Sequence, residues 1–139
     1  LTAIDLDERM IRIASNRDRP GNVAYRVMSI SALGFADNAF DAVFDFGSLH
    51  HLPDWRKAIE ELKRVLVPGG QLIMEDLSIE SFSGFPGRAY RPLMIHPYRQ
   101  MYTVDQFVGH AERCGFTIRH LRQTNPLGLV KFFHLAARA

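Results

Sequence analysis

Two adjacent histidines, His50 and His51, are the residues of this 139-residue chain best suited to moving a proton. Imidazole titrates near neutrality, so His50 can act as a general base toward a hydroxyl or amine, with His51 beside it against the substrate. The bland alternative is that one histidine fills a pocket wall while the other caps a turn or packs on Trp55. No metal site is expected, because adjacent histidine side chains diverge and His96, His110, His120 and His134 lack ligand spacing. Arg88, Tyr90, Arg91, His96, Tyr98 and Arg99 cluster within residues 78 to 102. Such a segment can close over a substrate as a lid that favours an anion, with Arg88 and Tyr98 touching it. Its alternative is a solvated connection whose aromatics pack on a sheet. The lone Cys114 reads as a small core residue at a helix end, and Asp41 as the start of a strand.

These residues need elements to hold them. Ala42-Val43-Phe44 and Phe46 form a nearly continuous apolar run, which predicts a strand buried on both faces of a parallel sheet. Trp55, Ala58, Ile59, Leu62, Val65 and Leu66 recur at three- and four-residue steps, which predicts an amphipathic helix. Asp54 can cap it, and Glu60 to Arg64 is a favourable i,i+4 pair. Pro68-Gly69-Gly70 cannot continue the helix, so the chain turns there and returns as a strand over Gln71 to Leu77. Strand, crossover helix and strand make a βαβ unit. Upstream, residues 1 to 5 read as a strand ending at Asp5, followed by a helix capped by Asp7 with Met10, Ile11 and Ala14 inward, up to Arg19-Pro20-Gly21. Val23 to Ser29 reads as a second strand and Leu33 to Asn38 as a loop. Downstream, Thr103 and Gln106 form a capping box for a helix bearing Phe107, Val108, Ala111 and Cys114, which Gly115 stops. Phe116 to Thr124 and Val130 to Arg138 then read as an antiparallel hairpin around Asn125-Pro126-Leu127-Gly128.

Composition bounds the partners. The length suits one domain, residues 1 to 139, with 47% hydrophobic and 23% charged residues. A formal charge of +2 is too mild to announce a nucleic-acid partner, and no apolar run reaches the ~20 residues of a membrane span. One cysteine and no signal-peptide pattern point to a reducing, cytoplasmic setting. Leu1-Thr-Ala-Ile-Asp5 reads as the middle of a strand, so the chain is expected to be N-terminally incomplete.

Four stretches together resemble the small-molecule branch of the class I S-adenosylmethionine-dependent methyltransferases. They are Thr2-Ala3-Ile4-Asp5-Leu6-Asp7; Phe40-Asp41-Ala42-Val43 with Leu49-His50-His51-Leu52; Arg64 through Leu72; and Tyr102-Thr103 leading to Cys114-Gly115-Phe116. The resemblance implies a Rossmann-like α/β fold, a doubly wound and mostly parallel sheet with a C-terminal antiparallel hairpin, binding its cofactor at the carboxyl ends of the strands. It implies that Asp5, with Leu6 beside it, accepts from the ribose hydroxyls and that Ser29 and Ile30 flank the adenine. It also implies that Asp45, Phe46 and Gly47 hold the cofactor's ammonium. Ser29 stands where the family has an acidic residue. The family's first strand and its glycine-rich loop have no counterpart here, so this chain is expected to bind S-adenosylmethionine poorly. The same gap is expected to leave two strand edges unpaired, an incentive to homodimerise.

The expected function is methyl transfer from S-adenosylmethionine to a small molecule by the parent protein. The alternative is a non-catalytic methyltransferase-like domain acting through protein contacts. A nucleotide-binding dehydrogenase would fit the βαβ unit but explains neither Pro68-Gly69-Gly70 before a strand nor the closing hairpin.

Overall fold

A computed structural model of the protein describes residues 1–17, 21–83, 88, 98–125 and 131–139. Among the described residues, six strands form two separate sheets. In the first, β1 (Thr2–Asp5) pairs in parallel with β2 (Ala24–Val27). Helix α1 (Glu8–Asn16) joins them, and Asp7 caps it by accepting from the Arg9 amide. No residue of α1 is buried. Met10, expected to face inward, is 51% exposed, because no described element covers that side of the helix.

The second sheet has the order β3-β4-β6-β5, formed by β3 (Phe40–Phe46), β4 (Leu66–Leu77), β5 (Thr117–Thr124) and β6 (Phe132–Arg138). β3 and β4 run parallel, whereas β6 pairs antiparallel with both β4 and β5. Helices α2 (Trp55–Val65) and α3 (Val104–Arg113) cover one face of this sheet. The stripe predicted for α2 is the stripe that is buried: Trp55, Ala58, Ile59, Leu62 and Val65. They meet Leu72, Met74, Phe133 and Leu135 from the sheet and Tyr102 and Phe107 from the α3 side. Each large side chain fully buried in this way contributes roughly 1.5–3 kcal/mol.

Two local expectations for α2 are not met. Asp54 occupies the N-cap position without making a capping bond. Arg64 pairs with Glu61 and Asp37 instead of Glu60, and it also donates to the carbonyls of Leu33 and Phe35. Those bonds fasten residues 33 to 37 to the helix. The Thr103–Gln106 capping box of α3 is present in both directions.

The Pro68-Gly69-Gly70 turn is an irregularity inside β4 rather than a break before it. Phe40 pairs with Leu66 and Ala42 with Gln71, so the intervening residues bulge. Gly69 has a φ of +82°, and a Cβ on Gly70 would lie 2.9 Å from the Val67 carbonyl oxygen and 3.0 Å from that of Asp41. The chain's end closes over the bulge: the Gly69 amide donates to Ala139 (2.7 Å) and the Ala139 amide to Gly70 (2.8 Å).

β3 was expected to be buried on both faces, yet Phe44 and Phe46 are 56% and 71% exposed. The cause is the alternation of faces: Val43 and Asp45 point to the side covered by the core, while Ala42, Phe44 and Phe46 share the opposite face, which is left exposed. Among the described residues, β4 occupies one edge of β3 and no strand occupies the other. The predicted breakers Arg19-Pro20, the lid residues Tyr90, Arg91 and His96, and Pro126, Leu127, Gly128 and Val130 of the hairpin lie outside the described residues. Among the described residues, no helix is long and apolar enough to cross a membrane.

Candidate cofactor cleft and its buried histidine

The carboxyl ends of β1, β2 and β3 open into a cleft of about 1130 Å³ between the two sheets. Asp5 and Leu6 follow from β1, Ser29 and Ile30 from β2, and Asp45, Phe46 and Gly47 from β3, and all seven line this cleft together with His51. Positions 40 residues apart in sequence thus converge on one cleft from two different sheets.

Asp5 is exposed, and its Oδ1 accepts from the Asp7 amide at 2.8 Å. Ser29 Oγ lies 2.9 Å from Ser31 Oγ. Asp45 is 6% exposed; Ser48 Oγ donates to its Oδ1, and its Oδ2 is buried with no hydrogen-bond partner among the described residues. Burial pushes the Asp45 carboxyl up from 3.8 to about 6; the Ser48 hydrogen bond opposes this, nearby Asp76 adds to it, and His50 opposes it. Such a group is a charge waiting for a counter-charge.

Gly47 takes a φ of +74° and ends β3, turning the chain into a short 3₁₀ segment, Leu49–His51. That tight turn brings the two histidine rings to a centroid distance of 4.0 Å, so they do not diverge as expected. They face different surroundings. His51 is exposed at the cleft wall, and its pKa is lowered by partial burial first and by His50 second, against a smaller opposing effect of Asp76. His50 is 6% exposed and does not line the cleft; its Nδ1 meets Asp76 Oδ1.

Asp76 had drawn no attention in the sequence. It follows Leu72 and Met74 on the buried side of β4, where the two-residue period puts a carboxylate at a core position, with 1% exposure. Besides His50 Nδ1, it accepts from the backbone amides of Leu77 (2.7 Å) and His50 (3.1 Å) and from Tyr102 Oη (2.7 Å). Burial, with Asp76 next, drives the Tyr102 pKa upward, so its hydroxyl stays a donor. The available signal was a lone acid on the apolar parity of a strand.

Other expected site residues lie elsewhere. Arg88 is exposed and does not line the cleft, and neither does Tyr98, whose ring packs edge-on against Phe82 at 5.0 Å. His110, which has no ligand spacing in the sequence, acquires neighbours from another helix. Glu60, His110 and Cys114 place one ligand atom each within 4.8 Å of one another, and Glu60 arrives from α2. Burial raises the Cys114 thiol's pKa, with Glu60 the next cause.

The family model for the Methyltransferase domain matches residues 1–74. The ubiquinone/menaquinone biosynthesis C-methyltransferase UbiE of Hydrogenovibrio crunogenus is 38% identical over 78 residues, covering 53% of this chain and 31% of that protein. The 27-O-demethylrifamycin SV methyltransferase of Amycolatopsis mediterranei is 29% identical over 121 residues, covering 83% and 44%. The chain thus spans less than half the length of either curated relative. An S-adenosylmethionine-dependent methyltransferase from Mesorhizobium loti superposes over 99% of this chain and 79% of its own, with a TM-score of 0.82 and 18% identity, a likeness of fold.

Proposed function

The chain belongs to the Methyltransferase domain family, and on that premise we propose that it serves methyl transfer from S-adenosylmethionine to a small-molecule acceptor. The observation that carries this reading is Asp45: a buried carboxylate oxygen without a partner stands at one wall of a cleft whose other wall ends in the carboxylate of Asp5. The first suits a ligand ammonium and the second a pair of hydroxyls, since a carboxylate offers two acceptor oxygens. Phe46 and Gly47 complete the ammonium side, Leu6 adjoins Asp5, and Ser29 with Ile30 receives the adenine.

When bound, the cofactor supplies a methyl group on a sulfonium, an electrophile that requires no protein nucleophile. The chain's contribution is to align the two partners and keep water out. His50 is the base for an acceptor hydroxyl or amine, and His51 adjoins the acceptor. Arg88 and Tyr98 do not line the cleft and take no part in this reading. Relatives named for quinone biosynthesis and for a demethylrifamycin favour a small molecule as acceptor. With the facing edges of β1 and β3 unpaired, the 139-residue chain holds the cofactor weakly.

Saturation-transfer NMR on S-adenosylhomocysteine detects weak binding and so suits this chain. The expected result is transfer to the adenine and ribose protons that Asp5→Ala abolishes. Absence of transfer to the wild type, or transfer unchanged by Asp5→Ala, overturns the reading. A second reading, a non-catalytic domain acting through protein contacts, is favoured by the exposed Phe44 and Phe46 on β3, which lies at the edge of its sheet. A dimer by light scattering that Phe46→Lys returns to monomer, in a protein that shows no transfer, selects that reading instead.

A further inference from the structure

Away from the cleft, the packing of α2 against α3 collects three metal-ligating side chains in one place. His110 lies in the last turn of α3 and Cys114 caps that helix one turn further on, so the two share a face, with the ring's Nε2 3.5 Å from the sulfur. Glu60 comes from α2, and its Oε1 lies 3.6 Å from the same nitrogen. Arg64, which the i,i+4 rule offered to Glu60, is held by Glu61 and Asp37, and Glu60 faces His110 instead. Trp55 walls the site, its ring edge-on to the His110 imidazole at a centroid distance of 5.6 Å. The His110 side chain is 12% exposed and that of Glu60 61%, so the ring is fixed by packing while the carboxylate can swing. None of the three lines the cofactor cleft.

We propose that Glu60, His110 and Cys114 form a zinc site that ties α2 to the C-terminal end of α3. The separations are those of tetrahedral edges. With Zn–S near ~2.3 Å and Zn–N and Zn–O near ~2.1 Å, a tetrahedral ion holds sulfur and nitrogen about 3.5 Å apart and nitrogen and oxygen about 3.4 Å apart. The measured 3.5 Å and 3.6 Å need almost no rearrangement. The third edge, Glu60 to Cys114, is within 4.8 Å and closes by rotation of the exposed Glu60 side chain. The donor set selects the metal, since a thiolate and an imidazole suit zinc whereas magnesium and calcium take oxygen ligands. On binding, the Cys114 thiol gives its proton to solvent, and thiolate and carboxylate together balance the dication. His110 binds as a neutral imidazole through Nε2, which without metal donates to the Arg56 carbonyl at 3.2 Å. The ring proton then resides on Nδ1, and the Arg56 carbonyl keeps its helical amide donor, so no group is stranded. Water takes the fourth position. The site needs neither cofactor nor acceptor, so it stands apart from the methyl-transfer reading.

Cobalt(II) is the probe, because it takes zinc's place and reports its ligands as colour. Added to the 139-residue chain, it should give the intense visible bands of tetrahedral coordination and a near-ultraviolet thiolate-to-cobalt charge-transfer band, both erased by zinc. Cys114→Ser should remove the charge-transfer band. Zinc affinity, read by competition with a chromophoric chelator, should fall at least about 100-fold in Cys114→Ser and in Glu60→Ala, because losing even a residue behind the ligands costs about 10–100-fold. His120→Gln, on β5 and outside the cluster, keeps wild-type affinity. Weak octahedral cobalt bands in the wild type overturn the proposal, as does a charge-transfer band that survives Cys114→Ser or a Glu60→Ala protein that binds zinc as tightly as the wild type. Glu60 is exposed, so its replacement leaves the fold intact, and the wild-type spectrum decides without any variant. None of these readouts involves S-adenosylhomocysteine, so loss of the cofactor reading and loss of this one are separate results.

Discussion

Replacing Asp45 with asparagine stabilises the chain at neutral pH and does so much less in acid. The folded protein raises this carboxyl from 3.8 to about 6, chiefly by burial. A carboxyl with a raised folded pKa favours the folded state only while it is protonated. Its ionisation therefore carries no cost well below 3.8, and the cost grows as pH climbs from 3.8 through 6. At 1.36 kcal/mol per pH unit the full cost is about 3 kcal/mol. Linkage with these two values gives about 1 kcal/mol at pH 4.5 and about 3 kcal/mol at pH 7.5. Asparagine has the shape of the neutral acid and keeps an oxygen for the Ser48 hydroxyl, so it escapes the cost while retaining that hydrogen bond. Any cost of the amide itself is independent of pH and cancels between the two conditions. The assay is urea unfolding followed by fluorescence of Trp55, the single tryptophan, 3% exposed and sensitive to loss of the core. The variant's advantage should exceed its value at pH 4.5 by about 2 kcal/mol when measured at pH 7.5. An advantage equal at the two pH values, or larger in acid, refutes the reasoning. The same substitution should reduce saturation transfer to S-adenosylhomocysteine, because the uncompensated charge that strains the fold is the one proposed to meet the ammonium.

Two further outcomes follow from the packing. Gly70→Ala should lower stability by about 1–3 kcal/mol in the same urea assay, because its methyl would press on the Val67 and Asp41 carbonyl oxygens; an unaltered midpoint would show that the bulge yields freely. Arg64→Met should cost about 2 kcal/mol by stranding the Leu33 and Phe35 carbonyls. Because the Arg64 hydrogen bond is the chief cause of Glu61's lowered pKa, the Arg64 effect should be present above pH 4.5 and fade as pH falls below it. Parallel pH curves for wild type and variant would contradict this.

What the sequence disclosed follows from how local each signal is. The stripe of α2 and the capping box of α3 were legible because their determinants lie within three or four residues of one another. Glu60 misled because Arg64 found Glu61 one residue on and further partners around 30 residues upstream. Family resemblance named Asp5, Ser29 and Asp45, and the structure brings these three, far apart in sequence, to one cleft. Asp76 was not legible as a partner of His50, because 26 residues separate them and the contact depends on the register of β3 against β4. The exposure of Phe44 was not legible either, because an apolar run cannot report that only one face of its strand is covered.

The division into two sheets also bears on how the cleft walls breathe. A two-stranded ribbon is marginal on its own, and α1 contributes no buried residue to it. The four-stranded sheet, by contrast, carries the buried core formed by α2 and α3. Local opening should therefore expose the amides of β1 and β2 to hydrogen exchange at far lower free energy than those of β4 and β6. Asp5 and Ser29 ride on the fast-exchanging foldon and Asp45 on the slow one. A ligand bridging them must freeze the first against the second, and protection gained by β1 amides measures that ordering.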